Sequence, residues 1–201
     1  MDALRGLSPE SWARAAELLD AEVAAVRAVA RVEAGPWGAF LRSGEPVILF
    51  ERHLFRRETG GRYDAFRVPG LGEPEAIISS PRTGGWGPLG VQHKRLAAAA
   101  ALDRPAALRS TSWGLFQILG RNHALAGFPR LEDFVAATRR DVDAHLAAFV
   151  AFVASQPRMA RALREKDWAT FARLYNGPAY RANEYDLKLA AAYEAEQPGL
   201  A

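Results

Sequence analysis

Apolar residues Leu19, Val23, Val26 and Ala30 follow one another in steps of four, three and four, which keeps them on one face of an α-helix. The next step of three lands on Glu33. A carboxyl group therefore falls in register with the buried stripe, in the last turn before Gly35 and Pro36 stop the helix. Upstream, Ser8-Pro9-Glu10 reads as a helix start, with Ser as the cap and Pro in the first turn. That first helix is predicted to run to about Leu19, and Asp20 is predicted to cap the second. Residues 35–38 form a turn around Trp37.

The period then changes. Residues 39–41, a turn at 42–46 and residues 47–53 alternate as a β-hairpin does. In the second strand Val47, Leu49, Glu51 and His53 share one face, and Ile48, Phe50 and Arg52 share the other. Residues 56–90 are rich in Gly and Pro and carry Trp86, which reads as a long cleft-wall loop. From Val91 onward the spacing is helical nearly to the end. The predicted helices are 92–102, 105–108, one from about Trp113 capped by Ser112, Leu131–Arg140, Val142–Ala154, 158–165, 167–174 and 183–194. Tyr175-Asn176-Gly177-Pro178 is a stop. The pattern predicts a mainly α fold in a single domain spanning residues 1–201, with a small β-hairpin after the helix that carries Glu33.

Composition narrows this picture only a little. The chain has 201 residues, 49% hydrophobic and 24% charged, as in an ordinary globular domain. Its net charge is +3 and its sequence pI about 9.5, and only Lys94, Lys166 and Lys188 of its 26 basic residues are lysines. Such a surface suits an anionic polymer. Acids are interspersed among the arginines and no basic block stands out, which argues against nucleic acid. Without cysteine there is no disulfide framework, thiol nucleophile or thiolate metal site. The first residues lack the charged and apolar regions of a signal peptide. No stretch has the length and purity of a membrane span.

Several chemistries are excluded by motif. No phosphate-binding glycine loop follows a strand, no nucleophile elbow is present, and the four histidines lack metal-ligand spacing. What remains is a pair of acids, Glu33 and Glu51, with His53 near the second. Gln117, Tyr175 and Asn176 are polar groups set in otherwise apolar segments. Burial of Glu33 would raise its pKa toward what a general acid needs. Paired carboxyls, amides and aromatics suit glycoside hydrolysis, with Trp86 stacking on a sugar ring. From the residues alone, three plainer readings stay open. Glu33 could turn to solvent, Glu51 could be an exposed strand residue paired with Arg52 or Arg56, and Trp86 could be a hydrophobic anchor.

The motifs VEAG, PVILFERHLF, STSWGLFQILGRN and YNGPAY, followed by Asn183 and Tyr185-Asp186-Leu187-Lys188-Leu189, occur in that order between about Val23 and Tyr193. Together they resemble the N-acetylmuramidase family of phage endolysins and related bacterial proteins, within the lysozyme superfamily. Ala179 departs from the Gly expected in that YNGP-x-Y run. The resemblance implies a lysozyme-like helical fold and a muramidase, acting on the β-1,4 bond between N-acetylmuramic acid and N-acetylglucosamine in peptidoglycan. It implies Glu33 as proton donor and Glu51 as second carboxylate, with His53, Gln117, Tyr175 and Asn176 lining the sugar cleft. A phage or prophage endolysin of this kind is expected to need no cofactor or metal. It is expected to bind peptidoglycan glycan strands, not nucleic acid, without membrane insertion and as a monomer. It would be made in the bacterial host cytoplasm and act in the periplasm or cell wall. A lytic transglycosylase and a non-catalytic peptidoglycan-binding module are the alternatives.

Overall fold

The computed structural model describes residue 4 and residues 6–84 and 87–197. Helix α1 (Pro9–Leu19) begins where Ser8 accepts a hydrogen bond from the Ser11 amide at 3.1 Å. Asp20 does not cap the next helix. It ends α1 in left-handed backbone (φ 51°), and Glu22 precedes α2 (Val23–Ala34). Ala25, Val26, Ala28, Val29 and Ala30 on α2 are fully buried. Of the predicted stripe only Val26 and Ala30 belong to this buried face, because Leu19 is the buried last residue of α1 and Val23, at the first turn of α2, is 39% exposed. Small side chains there let neighbouring helices approach closely.

The antiparallel sheet draws its strands from farther apart than the predicted hairpin. Residues 39–47 fold back on themselves through a single bridge, Phe40 to Pro46. Strand β1 (Ile48–Phe50) then pairs with β2 (Thr111–Trp113), which pairs with β3 (Ile118–Leu119). Ser112 is therefore a strand residue and not a helix cap. The predicted strand 47–53 also ends early, because the Glu51 carbonyl accepts the amides of Leu54 and Phe55, both at 3.0 Å, and starts α3 (Arg52–Thr59). His53 is thus helical. The irregular stretch begins after α3, not at residue 56.

The rest is helical. It comprises α4 (Leu89–Arg109), α5 (Leu131–Arg140), α6 (Val142–Ala154), α7 (Pro157–Glu165), α8 (Trp168–Asn176) and α9 (Tyr185–Glu196). The break predicted between 102 and 105 appears inside α4 at Asp103, whose backbone is extended and whose carboxylate caps the Ala106 amide at 3.0 Å. A short 3-10 run, Pro178–Asn183, links α8 to α9. No helix among the described residues is long and apolar enough to cross a membrane.

Beneath the sheet His145 on α6 is buried. Its Nδ1 accepts the Leu115 amide at 3.1 Å, Nε2 faces the Thr138 carbonyl at 2.6 Å, and the ring stacks on Phe40 at 5.0 Å. These partners require the neutral ring with its proton on Nε2. Burial holds its pKa below the usual 6.5. Unfolded His145 takes up a proton first as pH falls, so stability is retained above about 6.5 and lost below it. His145→Gln can keep both hydrogen bonds. It is expected to flatten the pH dependence of urea unfolding between about pH 6.5 and 5 relative to wild type.

Candidate active site

Glu33 is half-buried in the last turn of α2. The Tyr185 hydroxyl donates to its Oε1, and the Asn176 side chain also hydrogen-bonds to it. Burial pushes its pKa up from 4.5 to about 8, against the opposing pull of the Asn176 bond. The reading in which this carboxyl turns to solvent is thereby removed. A pKa raised in this way favours the neutral carboxyl at neutral pH.

Glu51 immediately precedes α3, at the positive end of its helix dipole. Its side chain is 14% exposed, and Oε2 lies 3.4 Å from His53 Nδ1. Neither arginine proposed as its partner pairs with it in the way expected of an exposed strand. Arg56 bonds to Asp64 at 2.9 Å, and Arg52 donates to the Gly84 carbonyl at 2.9 Å. Glu51 and His53 therefore meet as the sequence pattern suggested, but around a helix start instead of along a strand.

Gln117 occupies left-handed backbone (φ 47°) in the turn between β2 and β3. Its amide nitrogen donates to Gly114 O at 2.8 Å and Val47 O at 3.3 Å, leaving its side-chain oxygen to offer to a ligand. Tyr175 near the end of α8 donates to Phe116 O at 2.6 Å and stacks on Phe171 at 5.4 Å. Burial first, and the neighbouring Glu33 charge second, push its hydroxyl pKa well above the ordinary value, so it stays neutral. Phe116 stacks in turn on Phe149 at 4.3 Å. This aromatic cluster fixes the β2–β3 turn against α6 and α8.

Glu51, His53, Gln117, Tyr175 and Asn176 line one cleft of about 290 Å³, whose walls also include Ser112, Asn122 and Phe152. Glu33 adjoins it through Asn176. Trp86 lies outside the described residues. Pattern reasoning passed over Asn122 and Tyr185 and took Ser112 for a helix cap. All three stand inside the quoted motifs, which is the signal that could have found them. A larger cavity, about 700 Å³, lies between α4 and α5 with Glu45 and His93 at one side, and contains none of the sequence candidates. Among the described residues no cluster of His, Asp and Glu could hold a metal ion.

The arrangement sets a carboxyl of raised pKa, Glu33, beside a cleft lined by a second carboxyl, an imidazole, amides and hydroxyls. Such a site can protonate a leaving oxygen and take a proton from water.

Comparison with known families matches N-acetylmuramidase over residues 22–197. Among solved structures, the crystal structure of the Burkholderia AP3 phage endolysin is 39% identical. It superposes with a TM-score of 0.78, covering 96% of this chain and 71% of that one. Comparison with curated proteins gives no match.

Proposed function

Because this chain belongs to the N-acetylmuramidase family, we propose that it is a peptidoglycan hydrolase of the endolysin kind that cleaves the β-1,4 bond after N-acetylmuramic acid. The observation that carries this reading is the state of Glu33. A carboxyl kept neutral to about pH 8, next to a cleft holding a second carboxyl, is what protonation of a glycosidic oxygen requires. Glu33 donates its proton to the leaving oxygen. Glu51 activates the attacking water or stabilises the oxocarbenium-like transition state, with His53 orienting it. The Gln117 oxygen and the Asn176 amide are suited to sugar hydroxyl and acetamido groups. Phe152, buried against Tyr175, gives the cleft an apolar wall. No step calls for a metal or cofactor. The protein would be made in the host cytoplasm and act on the wall.

The test is turbidity loss of outer-membrane-stripped Gram-negative cells, followed by mass spectrometry of the released fragments. Wild type is expected to release reducing muramic acid ends. Glu51→Gln is expected to lower the rate by about 10²- to 10⁴-fold while wall binding is kept. Anhydro ends would assign a lytic transglycosylase instead. Binding without fragment release would make the protein a wall-binding module.

A further inference from the structure

Tyr185 touches Glu33 from a different helix than Asn176 does. It stands in the first turn of α9, and its hydroxyl meets Glu33 Oε1. The chain reaches that position by a reversal. Helix α8 ends at Asn176, Gly177 takes φ 83°, and the run Pro178–Asn183 leads to Glu184 in left-handed backbone (φ 51°), which turns the chain into α9. Asn176 and Tyr185 thus approach one carboxyl from the two ends of this reversal.

We infer that Tyr185 is a positioning residue for the proposed hydrolysis, its hydroxyl fixing Glu33 Oε1 as the accepting oxygen and leaving the transferable proton on Oε2. This rests on reading Glu33 as the general acid. A neutral carboxylic acid has one O–H donor and one carbonyl-type oxygen. A phenol donating to Oε1 makes Oε1 the carbonyl-type oxygen, so the proton rides on the other. After transfer the same O–H bond favours the carboxylate that remains. Tyr175, the other phenol close to Glu33, is committed to the Phe116 carbonyl and cannot serve this purpose.

The support for Tyr185 is rigid. Glu196 on α9 is held between Arg27 and Arg31 of α2, at 2.5 Å from the Arg27 guanidinium, and Leu189 is fully buried. A reacting group held by helices instead of loops keeps its geometry through turnover. Among the described residues, the titratable groups set against Glu33 are Tyr185, which bonds to it, and Tyr175, which feels its charge; Glu51 and His53 line the adjoining cleft.

Tyr185→Phe removes only the hydroxyl. The expected result is a fall in kcat of about tenfold with KM nearly unchanged, the pattern of a misdirected acid. The alkaline limb of the pH–rate profile should move up, since a donor favouring the carboxylate is gone. Thermal unfolding should stay within a few degrees of wild type. The Glu33 titration read directly by ¹³C carboxyl NMR in both proteins needs no activity. Its midpoint should rise by roughly half a pH unit or more in Tyr185→Phe. An unchanged midpoint with an unchanged kcat would overturn the inference. If wild type released no fragments, the hydrolase reading would fail, and the NMR midpoint alone would still decide whether Tyr185 controls this proton.

Discussion

Glu33→Gln is expected to abolish wall lysis and, at the same time, to stabilise the fold at neutral and alkaline pH. The activity loss follows from removing the proton donor, a contribution of about 10²- to 10⁴-fold. The stability gain follows from linkage. Glu33 has a native pKa of about 8 against an ordinary 4.5. Between those values the native state holds a proton that the unfolded chain has released, so stability falls as pH rises through this window. Glutamine never ionises, and its side-chain oxygen can still accept the Tyr185 hydroxyl. The advantage of the variant should therefore be near zero at pH 4.5 and grow to its maximum above pH 8. At about 1.4 kcal/mol per pKa unit, its ceiling is about 4–5 kcal/mol. Urea unfolding of both proteins at pH 5 and pH 8.5, beside the lysis assay, checks both halves. A variant that lyses cells would remove Glu33 as the acid. A variant less stable than wild type at pH 8.5 would mean that the folded protein satisfies the Glu33 anion. A gain in stability with a loss of activity is the trade-off expected where a site holds a carboxyl in an environment that disfavours its charge.

The face carrying Val26, Ala30 and Glu33 was legible because a helix declares itself locally by its apolar spacing, although the cap expected at Asp20 and the stripe positions Leu19 and Val23 did not hold. Leu131–Arg140 and Val142–Ala154 have the bounds that their spacing predicts, for the same reason. The strands carry no such declaration. Two or three residues are too few to show a period of two. Ser110-Thr111-Ser112 before an apolar run imitates a helix cap, although Ser112 actually pairs with Leu49 and Leu119 in the sheet. The partner of β1 lies beyond the whole of α3 and α4, so no local signal could name it. The site divides along the same line. Gln117, Tyr175 and Asn176 stood out as polar groups in apolar segments, and the fold brings them to one cleft. Tyr185 did not stand out, because its meaning comes from a carboxyl 152 residues earlier. Glu51 and His53 were paired for a reason that does not hold, alternation along a strand. They meet because residues next to and just inside a helix start also lie close together.

Gly120→Ala is expected to be the most destabilising single-methyl change in the β2–β3 region, and the cause is contact, not backbone conformation. A Cβ at Gly120 would fall 2.0 Å from Leu108 O, a backbone atom near the end of α4 that also accepts the Trp113 indole N–H at 3.3 Å. Neither partner can swing aside, so the 3-10 turn Gly120–Asn122 must lift off α4, taking the cleft residue Asn122 with it. A loss of about 3–5 kcal/mol, or failure to fold, is the expected scale. Gly114→Ala combines two penalties. Its φ is +67°, and a Cβ would lie 2.6 Å from the His145 ring, which is pinned by the Leu115 amide and the Thr138 carbonyl. Gly44 has φ +81° with open space around it, so Gly44→Ala isolates the conformational term, about 1 kcal/mol. Urea unfolding of the three variants should rank Gly120→Ala and Gly114→Ala well above Gly44→Ala. Adding His145→Ala should relieve part of the steric overlap at Gly114 and none of that at Gly120, because only at Gly114 is the obstructing atom part of a side chain. Equal costs at Gly120 and Gly44 would mean that the turn carrying Asn122 can leave α4 freely, and that the cleft wall is not held by this contact.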